Sequence, residues 1–528
     1  MSLISKYIRE DRHYSVAQIN ELFGFDADHY ITDTEAEKHC RAFIKELRSR
    51  NILKSIKENN DEDEEIADIE FADYYEENLT NSKNQYRFSF VGIAIYRDAI
   101  IYSYPKYIGP LDDLPERLPK KELAQVIRVI EKYSRDNKKR KVNIRDIDLF
   151  TDIDEGGKVN TLSVMLYLLE DYAANGPYLN DELIIENNGP GEIIWQKTVD
   201  ETDPVFQNGR PYYVELFTRR NVSNDNDYFT RLHEYVVTQC SHEMEQIGLT
   251  DFFSLPVADI SDDEEDVFGD KEYICNMIDA ALATTFDDRK ITVLKALKAY
   301  FNSCKVLTGT NELQLIGTRS FNLIWEEVCG KVFKNQKDDD LNDEKFVPKP
   351  NQNILDAIKD KKEPTLIKLI EHPKWVKDQN KKTKSVYAEG TLKPDYLGFN
   401  KQENETEYYF YILDAKYYRP IWGQDSIDRQ PGIGDITKQY LYRLAYADYL
   451  ADFNVKKENV KNYFLMPESD DDHFSNNGFV ELEMMKKVPL DLGKIEVRML
   501  NPEIMYDCYL KGEKRQLEDL DNGSLCQI

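Results

Sequence analysis

Residues 392–418 read LKPDYLGF, then a polar turn NKQENETE, then YYFYILDAKYY. Pro394-Asp395 comes first, and Asp414-Ala415-Lys416 follows after eighteen intervening residues, at the end of an aromatic and β-branched run. Alternate side chains of a strand share a face, so Asp414 and Lys416 project together while Leu413 and Ala415 turn the other way. The run YYFYIL has the composition of a core strand, which sets the charges where that strand emerges. The spacing predicts a hairpin with strands over about 391–399 and 408–418. Two carboxylates and one ammonium at its end can hold a hard cation such as Mg²⁺ or Mn²⁺ and orient or deprotonate an attacking water.

Working outward, FNLIWEEVCGKVF (Phe321–Phe333) has the periodicity of an amphipathic helix. Either Glu326 or Glu327 can point from it toward the end of the sheet as a third carboxylate. After the breaker PGIG, Asp435 or Thr437 is expected to cap a helix KQYLYRLAYADYL. That start puts Gln439 in the first turn, where free N–H groups and the positive dipole end favour phosphate. Lys438 is beside it, and Tyr442 and Tyr446 can share its face. Strands over 461–467 (KNYFLMP) and 495–500 (IEVRML) and a helix after Pro502 complete the order. The expectation is an α/β fold in which a mixed central sheet is flanked by helices.

Three segments are expected along the chain. Residues 1–80 read as a small helical, winged-helix-like module, with helices in SVAQINELF and TEAEKHCRAFIKELRSRNILK and an acidic linker after them. Residues 81–310 read as mixed α+β, with two strands joined at Arg97-Asp98, helices from Pro119 to about Tyr172, an irregular β-containing stretch over 176–220, and helices around His233 and over 290–300. Residues 311–528 form the α/β unit.

The net charge of −29 works against tight binding to a polyanion. It is concentrated, however: 61–77 holds ten acidic residues and 259–270 holds seven. By contrast, 359–384 has nine Lys against four acids just ahead of Pro394-Asp395, and Lys138–Lys141 is a second basic patch. The lysine-rich segment reads either as a nucleic-acid track or as an exposed loop. No apolar run approaches the roughly 18 residues of a membrane span, and the first residues lack a signal peptide's apolar core. The seven Cys are scattered without CxxC pairing, which suits free thiols in a reducing cytoplasm. His233, Cys240 and His242 match no closed zinc spacing. No GxxxxGK[ST] occurs, so nucleotide hydrolysis is not expected of this chain.

From Phe321 onward the motifs resemble a PD-(D/E)xK nuclease domain. Over most of its length the chain resembles the LlaJI family of restriction endonucleases, related to McrC nuclease subunits. The resemblance rests on VGIAIY and YPKYI (within 91–108), GEIIWQKT (191–198), FNLIWEEVCGKVF (321–333), KPD (393–395), ILDAKYY (412–418) and DITKQYLYRLAY (435–446). It implies that residues 311–528 have a restriction-endonuclease-like core. Asp395, Asp414 and Glu326 would then be metal-binding acids, Lys416 the catalytic lysine and Gln439 the helix glutamine. The tyrosine expected four residues after that glutamine is displaced, because position 443 is Arg and Tyr442 and Tyr446 flank it. The resemblance further implies a Mg²⁺-dependent subunit that cuts double-stranded DNA in antiphage restriction and works with a separate AAA+ GTPase or ATPase that translocates DNA. Residues 81–310 would dock that partner, and an oligomer fits the picture. An RNA- or single-strand-specific nuclease, and a non-catalytic DNA-binding or assembly subunit, are the alternative expectations.

Overall fold

The computed structural model describes residues 4–22, 33–56, 85–97, 99–108, 120–137, 160–224, 227–303, 305–309, 313–341, 343, 365–379, 382–401, 407–422, 424, 426–469, 475–486 and 491–522. The acidic run 61–77, the basic patch 138–141 and residues 359–364, 380 and 381 of the lysine-rich segment lie outside them. The chain forms two units. One gathers Met1–Leu3, Ile95–Ala99 and Leu149–Ile316, and the other Ile4–Ala94, Ile100–Asp148 and Gly317–Ile528.

In the first unit, helices Thr161–Asn175, Tyr228–Gln246 and Asp288–Asn302 pack together, and strand Asn180–Asn187 pairs antiparallel with Phe217–Asn224. The Asp227 carboxylate caps the second helix by accepting from the Phe229 and Thr230 amides. Arg289 grips Asp171 at 2.9 Å. His233 is interior, and its Nδ1 accepts from the Tyr178 amide at 3.0 Å. Burial draws its pKa down to about 4, so at neutral pH it is an uncharged part of the core. Among the described residues no helix is long and apolar enough to cross a membrane.

In the second unit, strands His13–Ser15, Gln85–Phe88 and Leu53–Ile56 form a small antiparallel sheet alongside helices Val16–Leu22 and Asp33–Ser49. The sequence predicts the two helices and a strand from Tyr86, while His13–Ser15 and Leu53–Ile56 carry no strand expectation. The larger sheet has five strands in the order 396–401, 408–415, 460–467, 495–500, 475–480. The first pair is antiparallel, the next two pairings are parallel, and the last is antiparallel. This is the mixed sheet expected from the sequence, with Ser475–Val480 added at one edge. Strand Tyr408–Ala415 is second in the order, and Phe410 to Leu413 are wholly buried, which explains its continuous apolar run.

Helix Ile433–Ala445 covers the Ile412 and Phe464 side of the sheet with Ile436, Tyr440 and Tyr442, and Tyr446 at its C-cap joins them. Helix Phe321–Val332 packs on helix Pro502–Lys511, where the Trp325 and Tyr506 rings meet edge to face. The Asn501 side chain caps the latter helix, Pro502 opens it, and Gly512, at φ 74°, closes it. Helix Ile433–Ala445 begins earlier than its sequence suggests, since Gly432 rather than Asp435 or Thr437 stands at its cap. Asp435 therefore falls inside the first turn, and Gln439 moves into the second turn, away from the free N–H groups.

Candidate active site

The strand register builds the site. Tyr396 lies opposite Leu413, so continuing the antiparallel ladder by one residue brings Asp395 beside Asp414. The Asp395 Oδ2 accepts from the Ala415 amide at 3.2 Å, and its carboxyl is hydrogen-bonded to that of Asp414. The main chain at Asp395 is held from outside the sheet. Its carbonyl accepts from Asn335 Nδ2 at 2.6 Å and from Lys337 Nζ at 3.0 Å. Two residues before it, the Lys393 carbonyl accepts from the Tyr442 hydroxyl at 3.1 Å.

Lys416 lies just past the strand, yet its amide continues the ladder by donating to the Leu465 carbonyl at 2.9 Å. The Trp325 indole donates to that same oxygen at 3.1 Å. One carbonyl thus joins the Phe321–Val332 helix to the end of the DxK strand. Trp325 is fully buried, while its neighbour Glu326 is only partly so and feels the charges of Asp414 and Lys416. Glu327 instead pairs along the helix with Lys331 at 3.8 Å.

The electrostatics are those of crowded acids. Burial, the Asp414 hydrogen bond and the charges of Asp414 and Glu326 push the Asp395 carboxyl up to about 9. Glu326 is raised as well, chiefly by burial, with Asp414 adding and Lys337 opposing. The Lys416 ammonium lies 3.1 Å from Asp414 Oδ2 and 2.8 Å from Asp435 Oδ1. Burial alone would lower its pKa. The two carboxylates outweigh burial and hold it above the ordinary lysine value.

Of the residues expected from the sequence, Asp395, Asp414, Lys416 and Glu326 are brought into mutual electrostatic contact. Gln439 is fully buried beneath the sheet, where its own carbonyl accepts from Asn462 Nδ2 at 3.2 Å. Among the described residues, neither its amide oxygen nor its amide nitrogen has a hydrogen-bond partner. Arg443, at the displaced tyrosine position, donates to the Lys457 carbonyl at 2.8 Å, and Tyr446 donates to Leu366 at 2.9 Å. Tyr442 is therefore the tyrosine that bears on the site.

Asp435 joins the site, although the sequence offers it only as one of two candidate caps, beside Thr437. Its spacing of four from Gln439 puts both on one helix face, and that spacing was the available signal. Asn335 and Lys337 carry no comparable signal, since their role depends on main-chain atoms sixty residues away.

The donor set consists of hard oxygens and is short of positive charge, which fits a divalent cation of the Mg²⁺ or Mn²⁺ type. Among the described residues no three His, Cys, Asp or Glu side chains are drawn together as a ready metal cage. Mg²⁺ does not require one. It is commonly held by one or two carboxylates with water and substrate phosphate completing the shell.

A sequence profile of the LlaJI restriction endonuclease family matches residues 90–368 and 357–499. The type II restriction enzyme BsuMI component YdjA of Bacillus subtilis (strain 168) is 26% identical over 439 residues, covering 82% of this chain and 83% of that protein. Among solved structures, McrC bound to McrB AAA+ hexamers of Thermococcus gammatolerans aligns over 94% of both chains at 11% identity, with a TM-score of 0.32. A second structure, the McrBC complex of the same organism, aligns over 56% of this chain and 79% of its own at 10% identity, with a TM-score of 0.21.

Proposed function

The chain belongs to the LlaJI restriction endonuclease family, and from that premise we propose that it is the DNA-cutting subunit of a nucleotide-driven restriction system, built on a PD-(D/E)xK nuclease core. The observation that carries the reading is the meeting of Asp395, Asp414 and Lys416 at one end of the sheet, with Lys416 Nζ 3.1 Å from Asp414.

Asp395, Asp414 and Glu326 would hold the divalent cation. When bound, that ion polarises the phosphodiester and offsets the charge of the transition state. The crowded carboxyls supply the oxygen donors, and without a cation Asp395 holds a proton that it shares with Asp414. Lys416 stays an ammonium at neutral pH, because Asp414 and Asp435 hold its proton. Of the two roles open to it, orienting the attacking water and stabilising negative charge fits better than removing a proton. Tyr442 supports the site from the helix through the Lys393 carbonyl. DNA translocation would then fall to a separate AAA+ partner, a reading that agrees with the lack of any GxxxxGK[ST] in this sequence.

The test is plasmid cleavage with Mg²⁺, nucleotide and the partner ATPase. Asp414→Ala and Lys416→Ala should each abolish cutting and leave the melting temperature and partner binding nearly unchanged. Cutting that survives both would remove the site assignment. Cleavage restricted to RNA or single strands would replace the substrate, and DNA binding without any metal-dependent cutting would make the chain an assembly subunit.

A further inference from the structure

Strands Lys374–Gln379 and Lys382–Tyr387 form an antiparallel ribbon that, among the described residues, pairs with no other strand. An isolated ribbon gains little stability from its own pairing, and this one buries few of its large side chains. Trp375 is 73% exposed, Tyr387 63%, and Val376 and Val386 56% each. The register sets Trp375 opposite Val386, Lys374 opposite Tyr387 and Lys377 opposite Lys384. The Lys374 ammonium rests over the Tyr387 ring, 5.8 Å from its centroid. Residues 374–387 include five Lys and one acid, in a chain whose net charge is −29.

The ribbon is joined to the site at its base. The Ala388 amide donates to the Pro373 carbonyl at 2.8 Å, and His372 Nδ1 lies 3.0 Å from the Ala388 carbonyl. The Thr391 hydroxyl then donates to Glu371 at 2.6 Å, and the Tyr442 hydroxyl holds Lys393. Only residues 388–394 separate Tyr387 from Asp395, and both ends of that connection are fixed.

We infer that this ribbon is a DNA-contacting arm that grips the duplex beside the phosphate to be cut; the inference rests on the nuclease reading above. Exposed aromatic and aliphatic side chains interleaved with lysines match a polyanion that also offers apolar surface, and the arm's attachment to Asp395 places that polyanion next to the chemistry. A two-stranded ribbon is of a size the major groove admits. Six residues extend about 20 Å, enough to follow about six base pairs.

The test uses the full chain carrying Asp414→Ala, so that binding is read without cleavage, and a labelled duplex of about 25 base pairs titrated over a salt series. Lys374→Ala with Lys377→Ala should weaken binding about tenfold or more and lower the slope of log K against log salt by about 2. Trp375→Ala should weaken binding several-fold with the slope unchanged. All three positions are exposed, so unchanged thermal melts are expected to accompany both results. Duplex binding equal to the parent in both variants would overturn the inference. So would variants that alter self-association or capture of the ATPase while leaving DNA affinity intact, since the ribbon would then be a protein interface. Plasmid cleavage by the chain with Asp414 restored is scored separately. Cutting that persists with ribbon-independent binding removes only the arm, and ribbon-dependent binding without any cutting removes only the nuclease reading.

Discussion

Asp435 lies closer to the Lys416 ammonium than Asp414 does, at 2.8 Å against 3.1 Å. Asp435 is 5% exposed, so the contact is little screened by solvent. It holds the lysine head from the helix side while Asp414 holds it from the strand. Asp435→Asn keeps the shape and removes the charge, which frees the ammonium to swing and lowers its pKa. Cleavage should fall by about 10- to 100-fold, the range seen when a partner that orients a site residue is lost. The pH profile should shift as well. Single-turnover cleavage across pH, alongside a melting curve, separates this from a general loss of fold.

Asp395→Asn should make the protein more stable and inactive at once. In the fold this carboxyl is raised to about 9 by burial and its acidic neighbours, so its contribution to stability is present at low pH and is lost as pH rises through that value. An amide in its place keeps an oxygen to accept from Ala415 and carries no charge to crowd Asp414. Melting in a chelator should rise by the equivalent of about 1–4 kcal/mol. Stabilisation by added Mg²⁺ should disappear. A lower melting point in the chelator would show that the carboxyl serves the fold.

Gln439 buries both ends of its amide without a partner among the described residues. Desolvating an unpaired polar group costs about 1–3 kcal/mol. Gln439→Leu, similar in volume, should recover much of that while cutting activity falls about a hundredfold. Chemical denaturation and cleavage measured on one preparation would check the opposite signs. A destabilised variant would mean the amide is satisfied within the fold.

The pH dependence of stability has a separate source in Glu10. Burial and the neighbouring Asp11 raise its pKa to about 7, against Lys106 and a 2.6 Å hydrogen bond from the Tyr417 hydroxyl. The buried Tyr107 and Tyr506 phenols, hydrogen-bonded to each other at 2.7 Å, lie near enough to feel the Glu10 charge. The folded state holds this proton more tightly than the unfolded state, so the stabilisation is complete below the ordinary glutamate value and is lost as pH climbs through about 7. The change amounts to at most about 3 kcal/mol. Glu10→Gln should flatten the fall in stability between pH 5 and 8, as read by denaturant titration at each pH.

The hairpin and its charges were legible because a strand has a fixed period. YYFYIL could only be a core strand, and that fixed the shared face of Asp414 and Lys416. The start of the Gln439 helix was not legible: Gly432 took the cap, and the Asp435 side chain, which local propensity assigns to the helix end, was drawn instead to Lys416. The lysine-rich ribbon was equally opaque, because KWVKDQ and KTKSVY lack the apolar alternation of a half-buried strand. The anchors Asn335 and Lys337 act on a main-chain carbonyl, which no side-chain pattern encodes.

The Leu465 carbonyl, shared by the Trp325 indole and the Lys416 amide, ties the register of the sheet to the position of the helix. A slip of one residue between the two parallel strands would turn that oxygen away and flip the acidic side chain to the wrong face. A nascent or misregistered chain would be chemically silent, because segments from 321 to 465 must meet in the correct register before the lysine, the helix acid and the strand acids face one another.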